Sequence, residues 1–122
     1  MDKNNMNDEI KRLKFEDFLW IVFGSLCILN IYGDYNEKEY IETHDNIYKN
    51  SANKIFEFTI IITFFIYIYF FIRNYKAYEK SSPEEKQLYL IKVLGSSFLI
   101  AGIVCLFYFQ KKQSSFTASP AL

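Results

Sequence analysis

Residues 55–72 read IFEFTIIITFFIYIYFFI, and this stretch decides the class of the protein. Its only charged residue is Glu57, and every residue from Phe58 to Ile72 is Phe, Ile, Thr or Tyr. A helix on the surface of a soluble protein needs a polar stripe facing water, and the few threonines and tyrosines here do not form one. We therefore interpret residues 55–72 as a transmembrane helix.

Two further apolar segments flank this one. Residues 18–33, FLWIVFGSLCILNIYG, carry no charge, and residues 88–110, LYLIKVLGSSFLIAGIVCLFYFQ, carry one, at Lys92. Crossing the hydrocarbon core takes about 20 apolar residues. The third segment is long enough, whereas the first two must include flanking residues or thin the bilayer locally. The sequence thus predicts an all-α integral membrane protein with three transmembrane helices, multi-pass in the cell membrane.

Three alternatives explain these segments less well. A chain of 122 residues is too short to hide three such helices from water in a soluble bundle. Three strands cannot close a barrel, and an open sheet edge is not tolerated in lipid. A cleaved signal peptide would need small residues at its cleavage site, and residues 30–34, NIYGD, lack that pattern.

Local signals place the helix ends. Ser82-Pro83-Glu84-Glu85 has the pattern of a capping box with proline at the first helical position, which predicts a helix start near Pro83. We expect helices at about residues 10–35, 51–80 and 83–110, in a single transmembrane domain spanning 1–112. Helices two and three then form an antiparallel hairpin. We expect a turn near Asn46 in the first loop and a disordered tail at 113–122.

Basic residues predict the orientation. The N-terminal arm and the second loop lie on the same side of the membrane, and they hold Lys3, Lys11, Arg12, Lys14, Arg73, Lys76, Lys80 and Lys86. The first loop and the tail hold Lys38, Lys49, Lys54, Lys111 and Lys112. The positive-inside rule therefore favours an N-terminus in the cytoplasm and a C-terminus outside.

The composition argues against several classes of function. Fourteen basic and fourteen acidic residues cancel, so the chain lacks the basic surface of a nucleic-acid binder. His44 is the only histidine and lies in a charged loop, which is no recognisable metal-ligand set. Cys27 and Cys105 differ in depth by roughly 8 Å, so no disulfide is expected between them. We predict no cofactor, no metal site and no catalytic residue.

Two charged residues lie within the apolar segments, where charge is costly. Helical rise places Glu57 and Lys92 about 20 Å apart at opposite faces of the membrane, which excludes a pair within one chain. Lys92 lies at the depth of Glu16 and Asp17, and we hypothesise a Lys92–Asp17 (or Lys92–Glu16) contact joining helices one and three. The simpler alternative is that Lys92 extends to the cytoplasmic interface.

Other candidate residues have an ordinary and a functional interpretation. Glu57 shares its depth with Asn30, and is either an interfacial carboxylate or part of a cation or proton site. Small side chains in helix three allow close helix approach, either within the chain or between copies. The residues concerned are Gly95, Ser97, Ala101, Gly102 and Cys105.

The expected function is that of a non-enzymatic accessory, scaffold or immunity-type membrane protein acting through helix–helix contacts. Its partners would be the lipid bilayer and either further copies of itself or another membrane protein. The alternative is a small homo-oligomeric ion channel, transporter or holin-like pore, although its polar residues form no continuous stripe. A membrane enzyme of the small lipid-kinase type would need a cytoplasmic cluster of carboxylates, which residues 73–80, RNYKAYEK, do not supply.

Overall fold

A computed structural model describes residues 3–112, and three helices account for nearly all of them. They are α1 (Lys3–Thr43), α2 (Asn46–Lys80) and α3 (Lys86–Lys112). Each is long and apolar enough to cross a membrane. The predicted all-helical class with three helices of this kind is confirmed. The tail predicted to be disordered, 113–122, lies outside the described residues.

Helix α1 is longer than predicted at both ends. It runs from Lys3 to Thr43, about 60 Å at the α-helical rise, roughly twice the thickness of a hydrocarbon core. Residues 34–43 are charged, yet they continue the helix because nothing in them breaks it and because α2 packs alongside. Asn36 and Glu37 are buried there.

The turn between α1 and α2 consists of His44 and Asp45. His44 has a φ of 58°, the left-handed conformation that closes helix C-termini, and its N–H donates to the Tyr40 carbonyl (2.7 Å). Asp45 then caps α2, because its carboxylate accepts from the Ile47 N–H at 3.0 Å. The chain therefore reverses within two residues.

Helix α3 begins three residues later than predicted. The Glu85 N–H donates to the Ser82 carbonyl (3.0 Å), which closes residues 82–85 into a tight turn. The first α-type bond runs from the Tyr89 N–H to the Glu85 carbonyl (3.1 Å). The Ser-Pro-Glu-Glu motif therefore leads into the helix as a turn, and regular helix starts at Lys86.

Helix α2 is the centre of the fold. It packs against α1 and against α3, whereas within residues 3–112 no Cα atom of α1 comes within 8 Å of a Cα atom of α3. Most of the buried apolar side chains belong to α2, with one each from α1 and α3: Ala52, Phe56, Ile60, Ile66, Leu26 and Ile103. This arrangement leaves much of α1 and α3 exposed, including large apolar side chains such as Ile28 and Phe98.

Candidate functional site

Two groups of polar side chains lie along the helix interfaces, one toward each end of α2. The Arg73 end contains Glu16, Arg73, Asn74 and Lys92. The Glu57 end contains polar side chains that pair across the helices: Asn30, Asn53, Glu57, Thr59, Gln110 and Lys111.

Glu16 is the centre of the Arg73 end. Its side chain is 8% exposed, and one of its oxygens, Oε2, lies 2.7 Å from Nε of Arg73 on α2. The same carboxylate accepts from Arg12, one turn earlier in α1, at 3.1 Å, and from the Tyr69 hydroxyl at 3.2 Å. A buried carboxylate needs several donors to offset its lost hydration, and these three supply them. Glu16 therefore joins α1 to α2.

The hypothesised contact of Lys92 with Glu16 or Asp17 is not formed. The backbones of α1 and α3 stay more than 8 Å apart, Cα to Cα, within the described part of the chain, and the carboxylate of Glu16 pairs with the two arginines. Asp17 is exposed. Glu16 and Lys92 line the same groove, but the carboxylate of Glu16 pairs with Arg73 on the central helix.

Asn74 and Ser96 link α2 to α3 at the same end. The Asn74 Nδ2 donates to the Ser96 Oγ at 2.6 Å, and the Ser96 hydroxyl donates to the Lys92 carbonyl at 3.1 Å. Asn74 is 6% exposed, and its Oδ1 has no hydrogen-bond partner among residues 3–112. The sequence did not indicate this pair, because Asn74 is only a polar residue just after an apolar segment and Ser96 is one of several small polar residues within another.

At the Glu57 end the side chains pair across both interfaces of α2. The Lys111 Nζ lies 3.3 Å from the Glu57 carboxylate, and the Gln110 Nε2 donates to the Asn53 Oδ1 at 3.1 Å. On the α1 side, the Thr59 hydroxyl donates to the Asn30 Oδ1 at 2.9 Å. Glu57 thus contacts a lysine at the end of α3, a partner that its sequence neighbourhood did not indicate.

Gly33 allows α1 and α2 to approach closely. A Cβ atom built on Gly33 would overlap the Phe56 ring, with Cζ only 2.9 Å away, and Phe56 is fully buried. In the sequence Gly33 marked only the end of an apolar segment. Its role in packing depends on which residue of α2 lies opposite.

The small residues of α3 have a different environment. A Cβ atom built on Gly95 or Gly102 would meet nothing within 4 Å, and Ala101 and Cys105 are exposed, while Ser97 is half-buried. The side chains that α3 buries against α2 are Ser96, Ile103 and Gln110, and Gly95 and Gly102 flank that buried face, each one residue before a member of it. Packing among residues 3–112 therefore leaves this small-residue face (Gly95, Ala101, Gly102, Cys105) uncovered.

The cysteines and acidic residues form no metal centre in the described residues: no three His, Cys, Asp or Glu side chains within 3–112 are grouped to hold an ion. Cys27 and Cys105 are both exposed thiols.

The Arg12 guanidinium donates a hydrogen bond to the Glu9 carboxylate, and this bond and the positive charge hold the pKa of Glu9 below its ordinary value. This ion pair is on the polar extension of α1.

Comparison with protein-family models, curated proteins and solved structures yields no match to this chain.

Proposed function

We propose that this chain is a multi-pass protein of the cell membrane that acts through helix–helix contacts, as an accessory, scaffold or immunity-type protein without catalysis of its own. The observation that carries the proposal is the uncovered small-residue face of α3. Gly95 and Gly102 lie two turns apart, and the space beside each is open. In a membrane, such a face allows the backbone of another helix to approach closely.

We further propose that the N-terminus is cytoplasmic, the C-terminus is outside, and α2 and α3 form an antiparallel hairpin. Support for the hairpin comes from the contacts of Asn74 with Ser96 and of Asn53 with Gln110, which pair the end of one helix with the start of the other. Support for the orientation comes from the basic residues at the Arg73 end. In a bacterial host, alkaline phosphatase fused after Lys112 should be active, and green fluorescent protein fused after Lys80 should fluoresce.

The occupant we propose for the small-residue face is a transmembrane helix of a partner protein. A photoreactive phenylalanine analogue at position 98, between the two glycines, should form one discrete adduct in native membranes. Gly95→Ile with Gly102→Ile should abolish it, because the added side chains hold the partner helix away. Gly24→Ile is the matched control, since a Cβ atom on Gly24 in α1 also meets nothing within 4 Å.

Other outcomes would contradict this proposal. Equal adducts from a photoreactive residue at position 28 on exposed α1 would mean that the labelling is not specific to this face. An adduct of twice the chain mass would identify a second copy as the occupant. Ion flux through liposomes containing only this protein, lost in the double glycine variant, would favour the pore instead.

A further inference from the structure

The separation of α1 from α3 leaves a long groove over α2 at the Arg73 end. Both outer helices pack on α2, and within residues 3–112 their Cα atoms stay more than 8 Å apart, so α2 forms the floor of the groove and α1 and α3 form its two walls. It has two adjoining parts with different chemistry, and Arg73 and Lys92 border both of them.

The first part, which we name the basic cleft, has a volume of about 510 Å³. All three helices contribute its charged lining, which is Glu9, Arg12, Arg73, Lys76, Lys80 and Lys92. The two arginines are paired with Glu9 and Glu16, but among the described residues Lys76, Lys80 and Lys92 form no ion pair. Positive charge therefore converges on a concave surface without an equal number of carboxylates.

The second part, which we name the apolar groove, has a volume of about 460 Å³ and continues along the helices from Arg73 and Lys92. Most of its lining is apolar or aromatic, and includes Trp20, Phe23, Ile66, Phe70 and Leu99. These residues belong to the three apolar segments, whereas the basic cleft lies where those segments end.

We propose that the basic cleft and the apolar groove together form a binding site for an anionic phospholipid of the cytoplasmic leaflet. The phosphate of the headgroup contacts Lys76, Lys80 and Lys92, and an acyl chain lies along Trp20 and Phe70. Basic pockets between transmembrane helices on the cytoplasmic side bind anionic headgroups in this way. The apolar groove favours a lipid over a soluble phosphate, because a free anion would not use it. This inference rests on the membrane location proposed above.

Trp20 is the only tryptophan of the chain and lies in the apolar groove, so its fluorescence reports on the lipid bound there. The full chain is reconstituted into vesicles of phosphatidylcholine and phosphatidylglycerol, with brominated acyl chains on one lipid or the other. Bromine quenches indole fluorescence at contact. Brominated phosphatidylglycerol should quench Trp20 several-fold more than its share of the bilayer predicts.

Replacing Lys76, Lys80 and Lys92 by Gln together should reduce this preference at least about fivefold, since one basic residue near an anionic surface contributes about that much. The matched control replaces Lys38, Lys54 and Lys112 by Gln, which removes the same charge from exposed positions away from the cleft. The control should retain the preference, and raised salt should weaken it in the wild-type protein.

Each remaining outcome contradicts a particular statement. Equal quenching by the two lipids, or a preference that survives the triple variant, would overturn the lipid site while leaving the membrane location intact. Loss of the preference on adding inorganic phosphate, at constant ionic strength, would identify a general phosphate site instead. If no brominated lipid quenches Trp20, the chain is not in the bilayer, and the proposed function fails with the inference.

Discussion

The carboxylate of Glu16 on α1 lies 2.7 Å from Nε of Arg73 on α2, and this pair lies where the apolar segments of both helices end. Removing one partner of a buried ion pair lowers the free energy of unfolding, because the remaining charge is then buried without an opposite charge beside it. Arg73 keeps access to water, with 30% of its side chain exposed, which moderates that cost.

The first prediction concerns this pair. Glu16→Gln and Arg73→Gln should each lower the free energy of unfolding by about 2 kcal/mol, and the double variant should cost less than the sum of the two. Sodium dodecyl sulfate titration of helical circular dichroism in mixed micelles measures all three values. Asp17→Asn, at the exposed neighbouring position, is the control and should have little effect.

A related charge exchange tests the alternative partner of Lys92. Exchanging the charges of Asp17 and Lys92 should give no recovery in the double variant, because the two residues form no ion pair within residues 3–112 and the backbones of α1 and α3 stay more than 8 Å apart. Recovery of stability in the Asp17/Lys92 double variant would contradict the arrangement of the Arg73 end. So would a Glu16/Arg73 double variant whose loss of stability equals the sum of the two single losses.

The second prediction compares two glycines of α1. Gly33→Ala should destabilise the protein by about 1–3 kcal/mol, because the new methyl group would overlap the buried Phe56 ring and force the helices apart. Gly24→Ala adds the same methyl group into open space and should be neutral, or stabilising by up to about 1 kcal/mol from helix propensity. Thermal unfolding in detergent measures both. Equal effects would contradict the close approach at Gly33.

The third prediction concerns the Asn74–Ser96 hydrogen bond. Ser96→Ala should cost about 1 kcal/mol, since it leaves the buried Asn74 amide without an acceptor, and interhelical hydrogen bonds in membranes are worth about that much. Combining it with Asn74→Leu should recover part of the loss, because an apolar pair needs no hydrogen bond. Ser97→Ala, one residue away, is the control. The same unfolding titration measures all of these variants. A double variant that loses more stability than the two single variants together would contradict the prediction.

The fourth prediction is a pH dependence at Glu37. Burial, together with the charge of Asp34, raises the pKa of Glu37 above its ordinary value of 4.5. The folded state therefore holds this proton more tightly than the unfolded state. The resulting penalty is absent below pH 4.5, grows as the pH rises through the folded-state pKa, and is constant above it.

Glu37→Gln should accordingly raise the free energy of unfolding at pH 7, by about 1.4 kcal/mol for each pH unit that separates the folded-state pKa of Glu37 from 4.5. In acid the variant and the wild type should be equally stable. Unfolding titrations at a series of pH values measure the difference between variant and wild type. Glu42→Gln removes a carboxylate from an exposed position of the same helix and is the control. A stabilisation independent of pH would contradict the explanation.

Local chemistry predicted the turn between α1 and α2, but it did not predict every helix boundary. Asp45 caps α2 with its own carboxylate, next to the turn expected near Asn46. The charged residues after Gly33 carry no apolar signal, so the predicted transmembrane helix ended near residue 35, whereas α1 continues to Thr43. The start of α3 differed by three residues because a capping-box pattern does not distinguish a tight turn from the first turn of a helix.

The sequence by itself determined that the chain forms three long apolar helices and that Glu57 and Lys92 lie at opposite ends. Both conclusions depend only on local hydrophobicity and on the fixed rise of a helix. Tertiary structure alone decided that α2 is central, that Glu16 pairs with Arg73, that Gly33 contacts Phe56, and that Gly95 and Gly102 remain uncovered. The physical reason is that rise gives the depth of a residue, whereas its partner depends on how each helix is rotated and which neighbour it packs against.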